Sequence, residues 1–147
     1  MIEYITFLDI QEIWKKHLWP NRKEILPMSN MRYKDIPYTS ISKKYTPTFF
    51  AYIVDGEIAG VNSGHCSSRF HYRSRGLFVF PQYRKKGIGT KLLKHACYLG
   101  RNAEMVYCWS LPRKVALETY LNAGFEQTSK FFETETSEQN CYVIKPT

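Results

Sequence analysis

The chain has 147 residues, of which 44% are hydrophobic and 16% aromatic. These values favour one packed globular domain over residues 1–147 and exclude a disordered chain. Lys and Arg outnumber Asp and Glu by 21 to 13, so the net charge is +8 and the expected partners are anionic cofactors, nucleic acid or acidic substrates.

The first part of the chain predicts one strand and two helices. The segment EYITF has the composition of a short strand. Ile10, Trp14 and Leu18 recur at helical spacing and predict a helix over residues 9–19 whose apolar side belongs to the core. A second short helix is expected over residues 22–28, followed by a long loop rich in turn formers and tyrosines.

The middle of the chain predicts three consecutive strands. TFFAYIV is rich in β-formers, Asp55-Gly56 is a strong hairpin turn, and EIAGVNSGHC continues as the partner strand. After a reversal at SSR, the segment FHYRSRGLFVF is expected to run extended as far as Pro81.

The last third predicts two helices and three further strands. A helix is expected from about Gly89 to Leu99, ended by Gly100, and EMVYCWS follows as a buried strand. PRKVALETYLNAGF predicts a helix that begins with proline and ends at Gly124, and QTSKFFETET and QNCYVIK predict a two-stranded hairpin. This order of elements implies an α/β (α+β) fold, a mixed sheet with helices on its faces.

The cysteines and the N-terminal segment indicate the compartment. The four cysteines form no CxxC pair, so reduced thiols are expected rather than a disulfide framework or a zinc site. His65 and Cys66 are neighbours without further ligands, and no metal site is predicted. The first residues carry acids among apolar positions, which excludes a signal peptide and a membrane span, so a cytoplasmic protein is expected.

The stretch YRKKGIGTKLLKHA joins a strand to a helix through a glycine-rich turn. Such a turn presents backbone N–H groups to a ligand, and the positive end of the helix dipole adds to them. Gly87 and Gly89 allow the backbone to approach a ligand closely, and Arg84, Lys85 and Lys86 attract an anion. The turn therefore predicts a pyrophosphate site, while the spacing excludes a nucleoside-triphosphate P-loop and a dinucleotide-binding fingerprint.

LFVFPQYRKKGIGTKLL resembles the acyl-CoA-binding segment of the GNAT superfamily of N-acetyltransferases, in which a V-x-P-x-Y strand end precedes a [Q/R]-x-x-G-x-[G/A] turn. ALETYLNAGF resembles the family's downstream motif A-x-x-x-Y-x-x-x-G-F. The resemblance covers about residues 49–131. The matching residues are Val79, Pro81, Tyr83, Arg84, Gly87 and Gly89 in the first motif and Ala116, Tyr120, Gly124 and Phe125 in the second.

The resemblance implies a mostly antiparallel sheet of about six or seven strands, about four helices and a V-shaped splay between strands four and five. It implies an enzyme in which a primary amine attacks the thioester of acetyl-CoA directly in a ternary complex, with Tyr120 as general acid toward the departing thiolate. A homodimer joined through the C-terminal strands is typical of the family. The implied cofactor-binding residues are Phe78, Val79 and Phe80, whose backbone groups pair with the pantetheine arm, and Arg84, Lys85, Lys86, Gly87, Ile88, Gly89 and Thr90 around the pyrophosphate.

The chain departs from the family pattern at two positions. Many relatives carry a glutamate, as base for the amine, on the strand that here carries Arg73 and Arg75. The amine then arrives neutral or a base comes from elsewhere. Arg113 replaces an asparagine seven positions before the tyrosine, and it either reaches a phosphate or solvates the helix start. Besides a water held by backbone, the candidate bases are Glu57, His65, His71 and Asp35.

The two arginines also bear on the acceptor. The two-residue period of a strand places them on the same face as Leu77 and Val79. Lining the acceptor side, they would suit a carboxylate or phosphate; equally, they face water or pair with acids of a neighbouring strand. The candidate acceptor-binding residues are Asn62, Arg73, Arg75 and Tyr33, with Ser63, Trp19, Asp35 and Tyr38 as further candidates.

Three functions remain open for the chain. The first is acetylation of a small metabolite or an anionic molecule. The second is acylation of a macromolecule, namely a protein amine, aminoacyl-RNA or modified DNA, for which the basic charge is the only support because no nucleic-acid-binding motif is present. The third is a non-catalytic module that binds acyl-CoA, which the intact pair of motifs disfavours.

Overall fold

The computed structural model describes residues 1–36, 46–134 and 138–147 of the chain. Its strands are β1 (Ile2–Ile5), β2 (Thr48–Val54), β3 (Glu57–Cys66), β4 (His71–Val79), β5 (Tyr107–Ser110), β6 (Glu126–Gln127), β7 (Phe132–Glu133), β8 (Gln139–Asn140) and β9 (Val143–Pro146). Its helices are α1 (Phe7–His17), α2 (Ile88–Asn102) and α3 (Leu117–Asn122). Within the described residues, seven strands form one sheet in the order β1-β2-β3-β4-β5-β9-β6, and only β4 and β5 pair in parallel. The predicted mixed, mostly antiparallel sheet is confirmed, and the described part of the chain has three α-helices where about four were expected.

Helix α1 begins with a capping box. The Asp9 backbone N–H donates to Oγ1 of Thr6, and the Thr6 N–H donates to Oδ2 of Asp9. This pair satisfies two backbone donors that have no partner within the helix. Ile10 and Trp14 are fully buried on the side of α1 that faces the sheet, as their spacing predicts.

The helix predicted over residues 22–28 is absent, and the segment is a series of turns. Side chains from other elements bind two of its carbonyl groups. Gln11 donates to the carbonyl of Ile25 at 3.1 Å, and Arg75 donates to that of Leu26 at 2.7 Å. The segment is therefore held in an irregular conformation by long-range hydrogen bonds.

Two other predicted boundaries are wrong. Helix α2 does not end at Gly100 but continues to Asn102. A Cβ at Gly100 would lie 3.0 Å from Cβ of Tyr72, so the glycine allows α2 to pack closely on β4. The predicted C-terminal hairpin is divided into two ladders. β6 pairs with β9 in the main sheet, while β7 and β8 form a separate two-stranded sheet.

A β-bulge at Gly76 determines which side chains of β4 face α1. The β3–β4 register changes between Val61 and Ser63, and Gly76 has a φ of 80°. Trp14 of α1 packs on this glycine and donates its Nε1–H to the Gly76 carbonyl at 2.8 Å. The extra residue reverses the alternation of side chains along the rest of the strand.

The prediction that one face of β4 carries Arg73, Arg75, Leu77 and Val79 is therefore wrong. Leu77 and Val79 pack in the core cluster under α2. Arg75, before the bulge, lies over the ring of Trp14 on the α1 side of the sheet, with its Cζ 5.0 Å from the ring centroid. The bulge therefore separates the arginines from the apolar end of the strand.

We expect Gly76→Ala to lower the free energy of unfolding by about 2–4 kcal/mol, because the added Cβ would meet the Trp14 ring at 2.3 Å in a left-handed conformation. Urea denaturation measures the loss. Gly56→Ala is the matched control, since Gly56 has a φ of 78° and no atom within 4 Å of its Cβ position, and it should cost only about 1 kcal/mol. Equal losses in the two variants would contradict the packing role of Gly76.

The sheet opens between β4 and β5. Their parallel pairing extends only as far as Arg73 opposite Trp109. Beyond this point β5 continues to Ser110 and pairs with β9, while residues 74–79 of β4 pair only with β3. This divergence is the predicted V-shaped splay between the fourth and fifth strands.

Candidate active site

The glycine-rich turn forms a concave array of backbone N–H groups at the start of α2. Lys85 and Gly87 both have left-handed φ values, 62° and 78°. Gly87 is the N-cap of α2 and no side chain caps this end. The N–H groups of residues 88–90 have no acceptor within the helix, because the first intrahelical bond joins Lys91 to the Gly87 carbonyl. This geometry suits an anion.

The two glycines of the turn have different roles. Gly87 is exposed, and a Cβ added to it would meet no atom within 4 Å, so the space beside it is open. Gly89 is buried, and its Cβ would lie 2.9 Å from Cγ2 of Thr119 in α3. The missing side chain of Gly89 therefore allows α3 to pack on α2, a role that the spacing of the motif did not reveal.

The three basic residues of the turn also differ in their contacts. Arg84 donates its Nε–H to the Val79 carbonyl at 2.9 Å, which ties the turn to the end of β4. Lys85 and Lys86 are exposed beside Gly87. The two lysines are thus the free positive charges next to the N–H array.

The open edge of β4 presents the backbone of Val79. Phe80 donates its N–H to Ala59 on the β3 side, and the Phe78 carbonyl faces Gly60 of β3. Because successive residues of a strand direct their N–H and C=O groups to opposite edges, the N–H of Val79 points into the splay. Of the three residues predicted to pair with a pantetheine arm, Val79 directs its N–H into the splay, while its carbonyl accepts from Arg84.

A cleft of about 360 Å³ lies where β4 and β5 diverge. It adjoins a larger groove of about 860 Å³ formed mainly by residues 17–31. The cleft is lined by Leu18, Trp19, Arg22, Met31, Arg73, Arg75, Gly76, Leu77, Ser110, Leu111, Pro112, Arg113, Ala116, Tyr120, Phe132, Glu133, Thr134, Glu138 and Asn140.

Tyr120 of α3 contributes a buried phenol to this cleft. Its side chain is 5% exposed and its ring meets that of Phe125 edge-on at 5.7 Å. Burial raises the pKa of Tyr120, and the Ser110 hydroxyl and the Arg73 charge oppose that rise in part. The phenol is therefore protonated at neutral pH and able to donate a proton.

The two β4 arginines reach the cleft but differ in their contacts. Arg75 lies over the rings of Trp14 and Trp19 and donates to the Leu26 carbonyl at 2.7 Å. Arg73 lies over the Trp109 ring at 5.0 Å. Burial lowers the pKa of Arg73 to about 10 and that of Arg75 to about 9, so both remain charged at neutral pH.

Four of the polar residues predicted for the acceptor side do not line the cleft, namely Asn62, Ser63, Tyr33 and Asp35. Asn62 donates to Oγ of Ser74 at 2.8 Å and, at 3.4 Å, to the Leu92 carbonyl of α2. Ser63 donates to the Arg75 carbonyl at 2.6 Å.

The hydroxyl of Tyr33 bonds that of Thr128 at 2.7 Å, and the Tyr33 ring packs in an aromatic cluster with Trp109. Asp35 is exposed in a short turn, whereas Trp19 lines the cleft as predicted. Tyr38 lies outside the described residues.

None of the four side chains considered as bases lines the cleft within the described part of the chain. Glu57 accepts the hydroxyl of Tyr83 at 3.0 Å, near the glycine turn. Burial, and next the charge of Arg73, lower the pKa of His65 to about 3. His71 is buried, and its ring stacks on Tyr33. The carboxylates that do line the cleft are Glu133 and Glu138.

Three charged residues of the cleft were missed by sequence reasoning, namely Arg22, Glu133 and Glu138. The two acids lie around the β7–β8 hairpin, whose acid-rich sequence was the only signal available. Arg113 is 3.4 Å from Glu138, so it forms an ion pair at the mouth of the cleft, which neither predicted role of Arg113 included.

Neither a metal-ligand cluster nor a membrane-spanning helix occurs in the described residues. Across residues 1–36, 46–134 and 138–147, no group of three His, Cys, Asp or Glu side chains is arranged to hold a metal ion. In the same ranges no helix combines the length and apolar character required to cross a bilayer. The four cysteines are buried free thiols.

Comparison with known proteins assigns the family. A family model described as acetyltransferase (GNAT) domain matches residues 46–127, more than half of the chain. The chain belongs to the GNAT acetyltransferase family. The match includes the glycine turn and Tyr120, so the predicted recognition is confirmed. It also confirms that the chain is an acyltransferase and that its acyl donor is acetyl-CoA.

Solved structures show the same fold in other GNAT-like acetyltransferases. An IAA acetyltransferase from Bacillus cereus has 16% identity and a TM-score of 0.75 over 100% of this chain and 99% of its own. Ard1 from Thermoplasma volcanium has 18% identity and a TM-score of 0.70 over 100% and 97%. An aminoglycoside 6'-N-acetyltransferase complexed with coenzyme A has 10% identity and a TM-score of 0.70 over 99% and 96%. No curated protein gave a significant match to the sequence.

Proposed function

We propose that this GNAT acyltransferase transfers the acetyl group of acetyl-CoA to a primary amine of a small or anionic acceptor, with both substrates bound together. Acetyl-CoA supplies the activated thioester. The observation that carries the proposal is the buried, protonated Tyr120 in a cleft that begins at the open edge of β4. A single acyltransferase domain over residues 1–147 and a homodimer through the C-terminal strands remain predictions.

The turn and the open strand edge fit the two ends of the donor. The N–H groups of residues 88–90 and the left-handed Lys85 and Gly87 would hold the diphosphate, with Lys86 adding charge. Val79 would pair with the pantetheine arm as a neighbouring strand does. These contacts would place the thioester at the cleft.

Tyr120 would act as the general acid. In the reaction, a bond forms between the amine nitrogen and the acetyl carbon, and the C–S bond breaks. The amine loses one proton to solvent, the sulfur gains one from the Tyr120 hydroxyl, and the Tyr120 phenolate takes one back from solvent. The direct test is release of free CoA thiol when the protein is mixed with acetyl-CoA and a panel of primary amines. Binding of acetyl-CoA without thiol release from any amine would favour the non-catalytic module.

The electrostatics of the cleft favour a neutral amine without a dedicated base. Among the described residues, four arginines and two glutamates line it, and nearby positive charge lowers the pKa of an amine. We expect the acid limb of kcat, which reports groups in the ternary complex, to lie about one pH unit below the solution pKa of the acceptor amine. The Glu133→Gln variant should show the same fall in rate toward low pH as the wild type. If this fall disappears in the variant, Glu133 is the base instead.

A further inference from the structure

Arg73 is a buried charge without a hydrogen-bond partner on two of its nitrogens. Its side chain is 8% exposed, and its Nε and Nη1 are buried and unpaired within the described residues. The ionisable groups near enough to affect the pKa of Arg73 are Tyr120, Arg22 and Tyr142, none of which is a carboxylate. A buried cation without a paired acid is costly, so such a group points to a ligand that completes its contacts.

The neighbouring Arg75 provides an internal comparison. It occupies the same face of β4 and lines the same cleft, but its Nη1 donates to the Leu26 carbonyl and two tryptophan rings cover it. Arg75 is therefore used to hold the irregular segment after α1 in place. Arg73 has only the ring of Trp109 and remains available to a ligand in the cleft.

The position of Arg73 limits how far the ligand's negative group lies from the reacting nitrogen. Arg73 and Tyr120 line the same cleft, and they lie close enough for each to shift the pKa of the other. A cleft of about 360 Å³ has the size of a small-molecule site. An oxyanion on Arg73 would thus lie within a few bonds of an amine that attacks beside Tyr120.

The net charge of the cleft disfavours cationic acceptors. Among the described residues its acids are Glu133 and Glu138, and Glu138 is paired with Arg113 at 3.4 Å. Arg73 and Arg75, for which no carboxylate partner is found among the described residues, therefore face Glu133. A polyamine or a second ammonium group would be repelled, whereas an oxyanion next to the amine is attracted.

We propose that Arg73 binds an oxyanion of the acceptor, so that the substrates are small amines carrying a carboxylate or phosphate a few bonds from the nitrogen. This inference rests on the proposed acetyl transfer and narrows its substrate class. Amino acids and aminoalkyl phosphates satisfy it, and plain alkylamines and polyamines do not. An Arg73 guanidinium binds such oxyanions through charge-assisted hydrogen bonds.

The test compares matched acceptors by thiol release from acetyl-CoA. Leucine is paired with 3-methylbutylamine, and phosphoethanolamine with ethanolamine, which separates carboxylate from phosphate recognition; spermidine is the cationic probe. We expect kcat/KM to favour the oxyanion-bearing member of at least one pair by roughly 10- to 100-fold. Arg73→Gln should reduce that ratio to near one, and Arg73→Lys should retain part of it. The exposed Arg101→Gln is the control and should keep the wild-type ratio.

Other outcomes overturn the inference. Equal rates within both pairs for the wild type, a preference for spermidine, or an Arg73→Gln variant that loses both members of a pair equally would each contradict oxyanion binding. If Arg73→Gln does not fold, competitive inhibition of the wild type by 4-methylpentanoate or by ethyl phosphate, which lack the amine, supports the site, and the absence of inhibition by both contradicts it. The absence of thiol release with all of these amines would overturn the proposed function. Calorimetry with 4-methylpentanoate, comparing the wild type with Arg73→Gln, would then still test whether Arg73 binds a carboxylate.

Discussion

Gly87→Glu is expected to weaken binding of acetyl-CoA by roughly 100-fold, about 2.7 kcal/mol. The added carboxylate would occupy the open space beside the N–H array and repel the diphosphate. Isothermal titration calorimetry with CoA measures the change. The fold should survive, because no protein atom lies within 4 Å of the new Cβ position.

Gly56→Glu is a closely matched control for this substitution. Gly56 lies in the β2–β3 turn, has the same φ of 78° and also has no atom within 4 Å of its Cβ position. The two variants thus introduce the same charge and the same backbone strain. Unchanged affinity for Gly87→Glu, or equal losses in both variants, would show that the turn is not the diphosphate site.

Tyr120→Phe is expected to lower kcat by about 100-fold or more, because the thiolate then leaves without a proton from the enzyme. Affinity for CoA should change little, since the phenyl ring keeps its packing against Phe125. Steady-state kinetics and calorimetry separate the two effects. Burial raises the pKa of Tyr120, so wild-type activity should not decline on the alkaline side until above the ordinary tyrosine value of about 10.

The exposed Tyr98→Phe on α2 is the control for loss of one hydroxyl, and it should retain wild-type turnover. Equal turnover of Tyr120→Phe and the wild type would leave Tyr120 with a structural role only. A parallel loss of CoA affinity and kcat would mean that the hydroxyl positions the donor rather than protonating it.

Sequence alone predicted the parts of the site that depend on local geometry. The turn over residues 84–90 and the tyrosine of α3 both belong to short motifs, and the chemistry of each follows from a strand end or a helix start. The core side of α1 was predictable for the same reason, because Ile10 and Trp14 repeat at the helical period. The local sequence pattern predicted the turn, the position of Tyr120 and the buried side of α1, because each depends on a single short segment.

Features created by contacts between distant segments were not predictable. The bulge at Gly76 depends on a tryptophan 62 residues earlier in the chain, and it reverses the faces that the two-residue period assigns. The turns of the segment after α1 are held by Gln11 and Arg75, which belong to other elements and bind its carbonyl groups. Glu133 and Glu138 join the cleft through a hairpin whose position no local pattern encodes.

A crystal structure with CoA bound tests the central claim most directly. The account predicts that the diphosphate accepts hydrogen bonds from the backbone N–H groups around residues 85–90. It also predicts that the pantetheine pairs with Val79 and that the sulfur lies within hydrogen-bonding distance of the Tyr120 hydroxyl. A diphosphate bound elsewhere, for example on Arg73 and Arg113 in the cleft, would contradict it.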